Sequence, residues 1–140
     1  MFKHDVTYTD FDGNERTETV YFYLSGPEMV DLQMSYPGGF GEYLQSVSNS
    51  QNGLEAWKAL DKIVRVAYGE KSPDGRFFVK ERDGHKLVDD FVQSPLYEEL
   101  MVQLMTSKEL VESFTKGVMP EKTMKRLTGN DLQAIAASAL

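Results

Sequence analysis

DVTYTDFDGNERTETVYFYL, residues 5–24, alternates apolar and polar side chains on both sides of an Asp-Gly pair. Val6 and Tyr8 alternate with Thr7 and Thr9, and Val20, Phe22 and Leu24 alternate with Thr19, Tyr21 and Tyr23. A period of two is the signature of a half-buried strand. The Phe11-Asp12-Gly13-Asn14 run between the two supplies the residue chemistry of a reversal, since glycine takes positive φ at no steric cost. The stretch therefore predicts a β-hairpin. Large side chains stand on both faces of its second strand, so one face covers a core and the other, with Tyr21 and Tyr23, faces outward. A two-stranded hairpin is marginal in water by itself, so it must pack on the rest of the domain or pair with another chain, which leaves a homo-oligomer open.

The segments after the hairpin read as helices. Ser25-Gly26-Pro27 ends the second strand, with Ser25 as a cap, and Met29, Val30, Leu32 and Met34 form a short helix that Tyr36-Pro37-Gly38-Gly39 breaks. Phe40, Tyr43, Leu44 and Val47 recur at helical spacing, and the polar Ser46–Asn52 segment reads as a loop. Leu54–Tyr68 is the strongest helix, with Leu54, Trp57, Leu60, Ile63, Val64, Ala67 and Tyr68 in one stripe. Trp57 is expected at the aromatic centre of the core, and Gly69 as a left-handed C-terminal cap.

Ser72-Pro73-Asp74-Gly75 has tight-turn chemistry, and Phe77-Phe78-Val79 reads as a short extended segment. Gly69-Glu70-Lys71-Ser72 lacks the spacing of a phosphate loop. Leu87, Val88, Phe91 and Val92 mark a further short helix. Ser94-Pro95 caps and opens the next one, whose Leu96, Tyr97, Leu100, Met101, Leu104 and Met105 form two columns of i,i+4 neighbours. Thr106 and Glu109 have capping-box spacing before Leu110, Val111 and Phe114.

The predicted fold is α+β and mainly α-helical: an N-terminal β-hairpin packed on a bundle of about five to six short helices. Residues 1–120 form one domain, with the hairpin at 5–24 and the helical body at 27–118. Residues 121–140 form a helical tail carrying Lys122, Lys125 and Arg126, with Leu132, Ile135, Ala136 and Leu140 on its apolar side.

Composition narrows the function classes. The chain carries 22 acidic against 15 basic residues, a net charge of −7, which disfavours a dedicated nucleic-acid binder. It has no cysteine, so thiol catalysis, disulfides and thiolate metal sites are excluded. The N-terminus lacks the apolar run of a signal peptide, and no stretch approaches a membrane span. Of the two histidines, His4 reads as a surface residue, and His85, near Asp83, Asp89 and Asp90, as a solvated helix start without a closed metal-ligand set. No nucleophile–base pair and no dinucleotide fingerprint occurs. No enzyme and no cofactor are expected.

The order of segments is more informative than any one residue. YTDFDGNERTETVYFYLS (8–25), GGFGEYLQSV (38–47), AYGEKSPDGRFFVK (67–80) and DDFVQSPLYEELMVQLMTSKELVESFTKGVMP (89–120) succeed one another along the chain. This series resembles the tail assembly chaperones of long-tailed, siphovirus-type bacteriophages over roughly residues 5–120. The resemblance implies a non-enzymatic factor in the cytoplasm of the bacterial host, absent from the mature virion. It implies binding of the tape measure protein and help in recruiting the major tail protein, and a 140-residue chain as the shorter of two frameshift products.

Methionine adapts to irregular partners, so the Tyr97–Met105 helix, with Tyr97, Leu100, Met101, Leu104 and Met105, is the expected client groove, and Tyr21 and Tyr23 a second contact. The competing readings are a structural protein that stays in the tail, using the hairpin edge, and a small nucleic-acid binder using Lys122, Lys125 and Arg126.

Overall fold

The computed structural model describes residues 1–120, 122 and 123; most of the expected tail, including Lys125 and Arg126, lies outside the described residues. The chain is α+β and mainly α-helical. Strands β1 (Phe2–Thr9) and β2 (Glu15–Phe22) form the hairpin, in antiparallel register from Phe2↔Phe22 to Thr9↔Glu15. The five-residue connection is organised by Asp10, whose carboxylate accepts from the Asp12 and Asn14 amides at 2.9 Å and from Arg16 Nε at 2.6 Å. The Arg16 guanidinium, helped by those amides, holds the Asp10 carboxyl below the usual carboxylate range. Gly13 closes the loop at φ +85°.

Helices α1 (Gly26–Met34), α2 (Phe40–Ser50) and α3 (Gly53–Ala67) come next, then β3 (Tyr68–Lys71), β4 (Phe78–Val79), β5 (Glu81–Arg82), β6 (His85–Lys86), α4 (Leu87–Phe91), α5 (Pro95–Thr106) and α6 (Lys108–Val118). The main sheet runs β1-β2-β3-β4, and β5-β6 stand apart as a second hairpin. The Ser72–Gly75 turn forms as expected, with the Gly75 amide donating to the Ser72 carbonyl at 3.0 Å.

Several local expectations are corrected. The expected Ser46–Asn52 loop shrinks to Gln51 and Asn52: α2 continues to Ser50 because Val47 is buried and the Ser46 and Ser50 hydroxyls donate to carbonyls three residues back. The α5–α6 junction is capped by Ser107, which accepts from the Leu110 amide at 3.2 Å. Thr106 instead ends α5, its hydroxyl donating to the Val102 carbonyl. His85 lies in β6, which pairs with β5 across a two-residue Asp83-Gly84 turn with both φ values positive. These two-residue strands are too short to show an alternation. His4 is half-buried, within 2.8 Å of Gln103 on α5.

Gly69 is not a helix cap. Tyr68 caps α3 in an extended conformation, and Gly69 pairs with Tyr21 inside the sheet. A Cβ there would come 2.4 Å from Phe78 Cε1 and 2.6 Å from the Val79 carbonyl oxygen. Glycine is required because β4 and the Phe78 ring lie directly over the backbone. Gly69→Ala should cost about 1–3 kcal/mol through this overpacking, read as a lower urea midpoint; an unchanged midpoint would show that β4 moves freely.

Trp57 is likewise not the core centre. It and Leu54 sit on the first turns of α3, which project past the core and leave both exposed; Ala59, Ile63, Val64 and Ala67 make the buried face. The centre is Phe22, fully buried, with edge contacts to Tyr68, Phe91 and Phe114 at ring-centroid distances of 5.8, 6.3 and 5.2 Å. Tyr68 stacks on Phe91 at 3.9 Å, and burial pushes its phenol up to about 12. One ion pair ties the periphery to this core. Lys80 Nζ lies 2.8 Å from the Glu28 carboxylate and donates to the Val66 carbonyl at 2.9 Å, joining α1, α3 and the end of the sheet. Glu28 also completes a capping box with Ser25.

Candidate partner-binding surfaces

The helical phase of α5 turns most of the expected groove inward. Tyr97, Leu100, Met101 and Leu104 are buried in the domain's own core, Leu100 completely, and offer no open groove in this structure. Tyr97 is held by its hydroxyl, which donates to the Asp61 carboxylate on α3. Asp61 also accepts from Arg65 Nε at 2.7 Å, and the Arg65 guanidinium stands 5.9 Å from the Tyr97 ring centroid. Burial, reinforced by Asp61, raises the Tyr97 phenol above its ordinary value. These contacts lock α5 to α3. Met105, one turn beyond Met101 in the same column, is 42% exposed at the margin of the buried stripe, and Val102 is exposed as well.

The sheet separates its faces by register. Phe2, Val6, Val20 and Phe22 face the helices, whereas Lys3, Asp5, Thr7, Thr17, Thr19 and Tyr21 face out. The outer face is knitted by cross-strand polar pairs: Thr7 with Thr17 at 2.8 Å and Thr19 donating to Asp5 at 2.5 Å. Tyr21 is half-buried on this face and Tyr23 is exposed at its base. Tyr23 does not stand alone. Its ring lies 5.5 Å from Phe78, and Met1, Phe77, Phe78, Lys71 and Arg76 line the same depression. Tyr21 shares a separate shallow depression with Glu70, Lys71 and Leu96, the first apolar residue of the α5 stripe.

Two aromatic positions were not legible as surface sites. Phe11 stands at the hairpin apex, 81% exposed; the available signal was an aromatic residue placed inside a turn, where no core can reach it. Residues 11–19, the loop and the first five residues of β2, are all exposed, so this end of the hairpin projects beyond the helical body. Phe77, 60% exposed, sits beside the Arg76 guanidinium at 5.2 Å; adjacent Phe77 and Phe78 cannot both point to one face of a strand.

A groove of about 810 Å³ lies between α1 and α3, lined by Leu24, Leu32, Tyr36 and Val66 with Glu28 and Lys80 bridging it. Asp31, Ser35, Lys62, Arg65 and Lys86 add further polar groups to its lining. Burial pulls the Lys80 ammonium below the usual lysine range despite the Glu28 carboxylate. Among the described residues no group of three or more His, Asp or Glu side chains is placed to hold a metal ion. No helix among them is long and apolar enough to cross a membrane.

No curated protein and no solved structure matches the chain. A family model does. It covers residues 1–137, reaching well past the segments that carry the resemblance and into the last twenty residues. By that match, which spans nearly all of its 140 residues, the chain belongs to the phage tail assembly chaperone family.

Proposed function

We propose that this chain binds the tape measure protein during tail building, keeps it soluble, and helps bring major tail protein subunits to it. It acts by reversible association in the cytoplasm of the bacterial host and catalyses no reaction. Family membership over residues 1–137 carries this reading. The exposed side chains support it: Phe11, Tyr23, Phe77, Val102 and Met105 are large apolar groups left in water on an otherwise acidic surface. Covering one such aromatic side chain contributes roughly 1.5–3 kcal/mol. Copies arrayed along one long client would add avidity to contacts that are individually weak and therefore releasable.

Within this reading residues 1–120 act as one folding unit and residues 121–140 as a separate tail. Tyr21, Tyr23 and Met105 touch the client, while Tyr97, Leu100, Met101 and Leu104 hold the surface in place from inside. Co-expression with the tape measure protein tests it. The client is expected in the soluble fraction, co-purifying with this chain, and adding major tail protein should yield a larger complex. A client that stays insoluble beside a folded, abundant partner would overturn the reading.

One observation favours a second reading. β1 is an eight-residue strand at the end of the sheet order, the kind of edge that pairs with a neighbouring subunit. A structural protein using that edge would remain in the finished tail. Mass spectrometry of purified particles separates the two, because the chaperone is absent from them and the structural protein is present at stoichiometric level.

A further inference from the structure

We propose that the aromatic and basic depression at the base of the sheet is a docking site for an acidic, apolar segment of a tail protein. It rests on the binding role proposed above and names where, and to what chemistry, that role is directed. The site is lined by Met1, Tyr23, Phe77 and Phe78 with Lys71 and Arg76, around a shallow space of about 300 Å³.

Three features set it apart from the rest of the surface. The first is charge. The chain carries −7 overall, yet both charged side chains lining this depression are cationic. The nearby Asp74 carboxylate is engaged within its own turn, accepting from the Ser72 hydroxyl at 2.7 Å and the Arg76 amide at 3.1 Å. A cationic rim in an acidic protein selects carboxylates by local complementarity against the long-range field.

The second is the floor. The Phe78 ring packs against the Gly69 backbone where a Cβ would come within 2.4 Å, and the partly exposed Tyr23 ring meets it at 5.5 Å, tilted by 57°, giving an aromatic floor still in contact with water. Such a floor takes Leu, Phe or Met side chains in preference to charged ones.

The third is rigidity. The Ser72 amide donates to the Phe77 carbonyl at 2.8 Å, and the Phe77 amide to the Ser72 hydroxyl at 3.0 Å. These bonds fix the turn that presents Arg76 and Phe77, which lowers the ordering cost of binding. Positive rim, apolar floor and fixed geometry together call for an extended or helical segment that interleaves Glu or Asp with large apolar residues.

The probe is a fluorescein-labelled synthetic peptide of alternating Glu and Leu, compared by anisotropy with its Lys and Leu counterpart. The wild-type chain should bind the acidic peptide at least about tenfold tighter, a preference opposite to its own net charge, and salt should erode that preference. Lys71→Glu combined with Arg76→Glu should abolish or invert it. Phe77→Ala should weaken the acidic peptide by about tenfold, in line with loss of one exposed apolar anchor. All three proteins should give the same circular dichroism spectrum, since the altered side chains lie outside the core.

No charge preference, or a preference the double variant leaves intact, would overturn the proposal. So would tighter binding of a single-stranded oligonucleotide than of the acidic peptide, or a peptide signal that tracks self-association of the chain. If the double variant still keeps the tape measure protein soluble as well as wild type, the docking site fails and the chaperone role stands. If wild type cannot keep that client soluble, the chaperone role fails and the peptide titration alone decides the site.

Discussion

Phe22→Ala should destabilise the chain by about 3–5 kcal/mol, the range for truncating a fully buried phenylalanine. No other truncation of one core residue to alanine is expected to do more. Phe22 has no exposed surface, closes the register of the hairpin against Phe2 and the end of β2 against Tyr68, and meets three aromatic rings from β3, α4 and α6. Its loss leaves a cavity that β2 cannot collapse into without breaking its pairing with β1 and β3 at once. With urea slopes of roughly 1–3 kcal/mol per molar for small proteins, the midpoint should fall by about 2 M. Near-ultraviolet dichroism should weaken as Tyr68 and Phe91 lose the ring that fixes their stack. A drop below about 1 kcal/mol would mean that the aromatic cluster is not the core's keystone and that the helices hold without the hairpin.

Met101→Asp and Met105→Asp should part company, and the difference separates core from surface along α5. Met101 is buried on the same face as Tyr97 and Leu104, so an aspartate there places an unpaired carboxylate in the core. Losing a buried methionine costs about 2–5 kcal/mol, and the stranded charge adds a further penalty unless it takes up a proton. The variant is expected to be largely unfolded at neutral pH. Partial recovery should appear as pH falls, because the neutral acid is far cheaper to bury. Met105, one turn further along the same helix, is 42% exposed at the edge of that face. Aspartate there should change stability by less than about 0.5 kcal/mol, the usual range for surface substitutions. Thermal melts of the two variants decide the matter. Equal tolerance would show that Met101 faces solvent, and equal collapse that Met105 is covered.

How much of this was legible in the sequence depends on the length of each element. The hairpin at residues 5–24 and the helices beginning at Ser25, Leu54 and Ser94 carry long periodic patterns and capping residues, and the structure places them there. The short β5–β6 hairpin has only two residues in each strand, too few for any period to register. Gly69 is ambiguous in principle: a glycine after a helix caps it far more often than it makes room for a crossing strand, and only the placement of Phe78 shows which applies here. The α2 extension through Ser50 was hidden because serine hydroxyls satisfy carbonyls within the helix and leave the segment looking like a polar loop.

The candidate site was less legible than the fold, for a physical reason. Periodicity identifies which residues lie on one face of a helix and does not say whether that face meets the chain's own core or a partner. Tyr97, Leu100, Met101 and Leu104 share a face, and that face is occupied by the domain itself. Tyr21 and Tyr23 were read from the outward phase of a strand, and the structure adds the companions that make Tyr23 part of a surface, Phe77 and Phe78, from a segment about fifty residues away in sequence. Trp57 misled in the opposite direction. Its stripe is real, but the first two turns of α3 overhang the core, and a sequence does not report where a helix leaves the body it packs on.

Amide hydrogen exchange of the chain, free and mixed with a soluble segment of the tape measure protein, tests the central claim most directly: a closed domain grips its client with surface groups and keeps its core shut. Slower exchange is expected around the hairpin apex and at residues 71–79, with the buried amides of α5 between Leu96 and Leu104 unchanged. Faster exchange across α5 on adding the client, or no change anywhere in a mixture that still forms a complex, would contradict it.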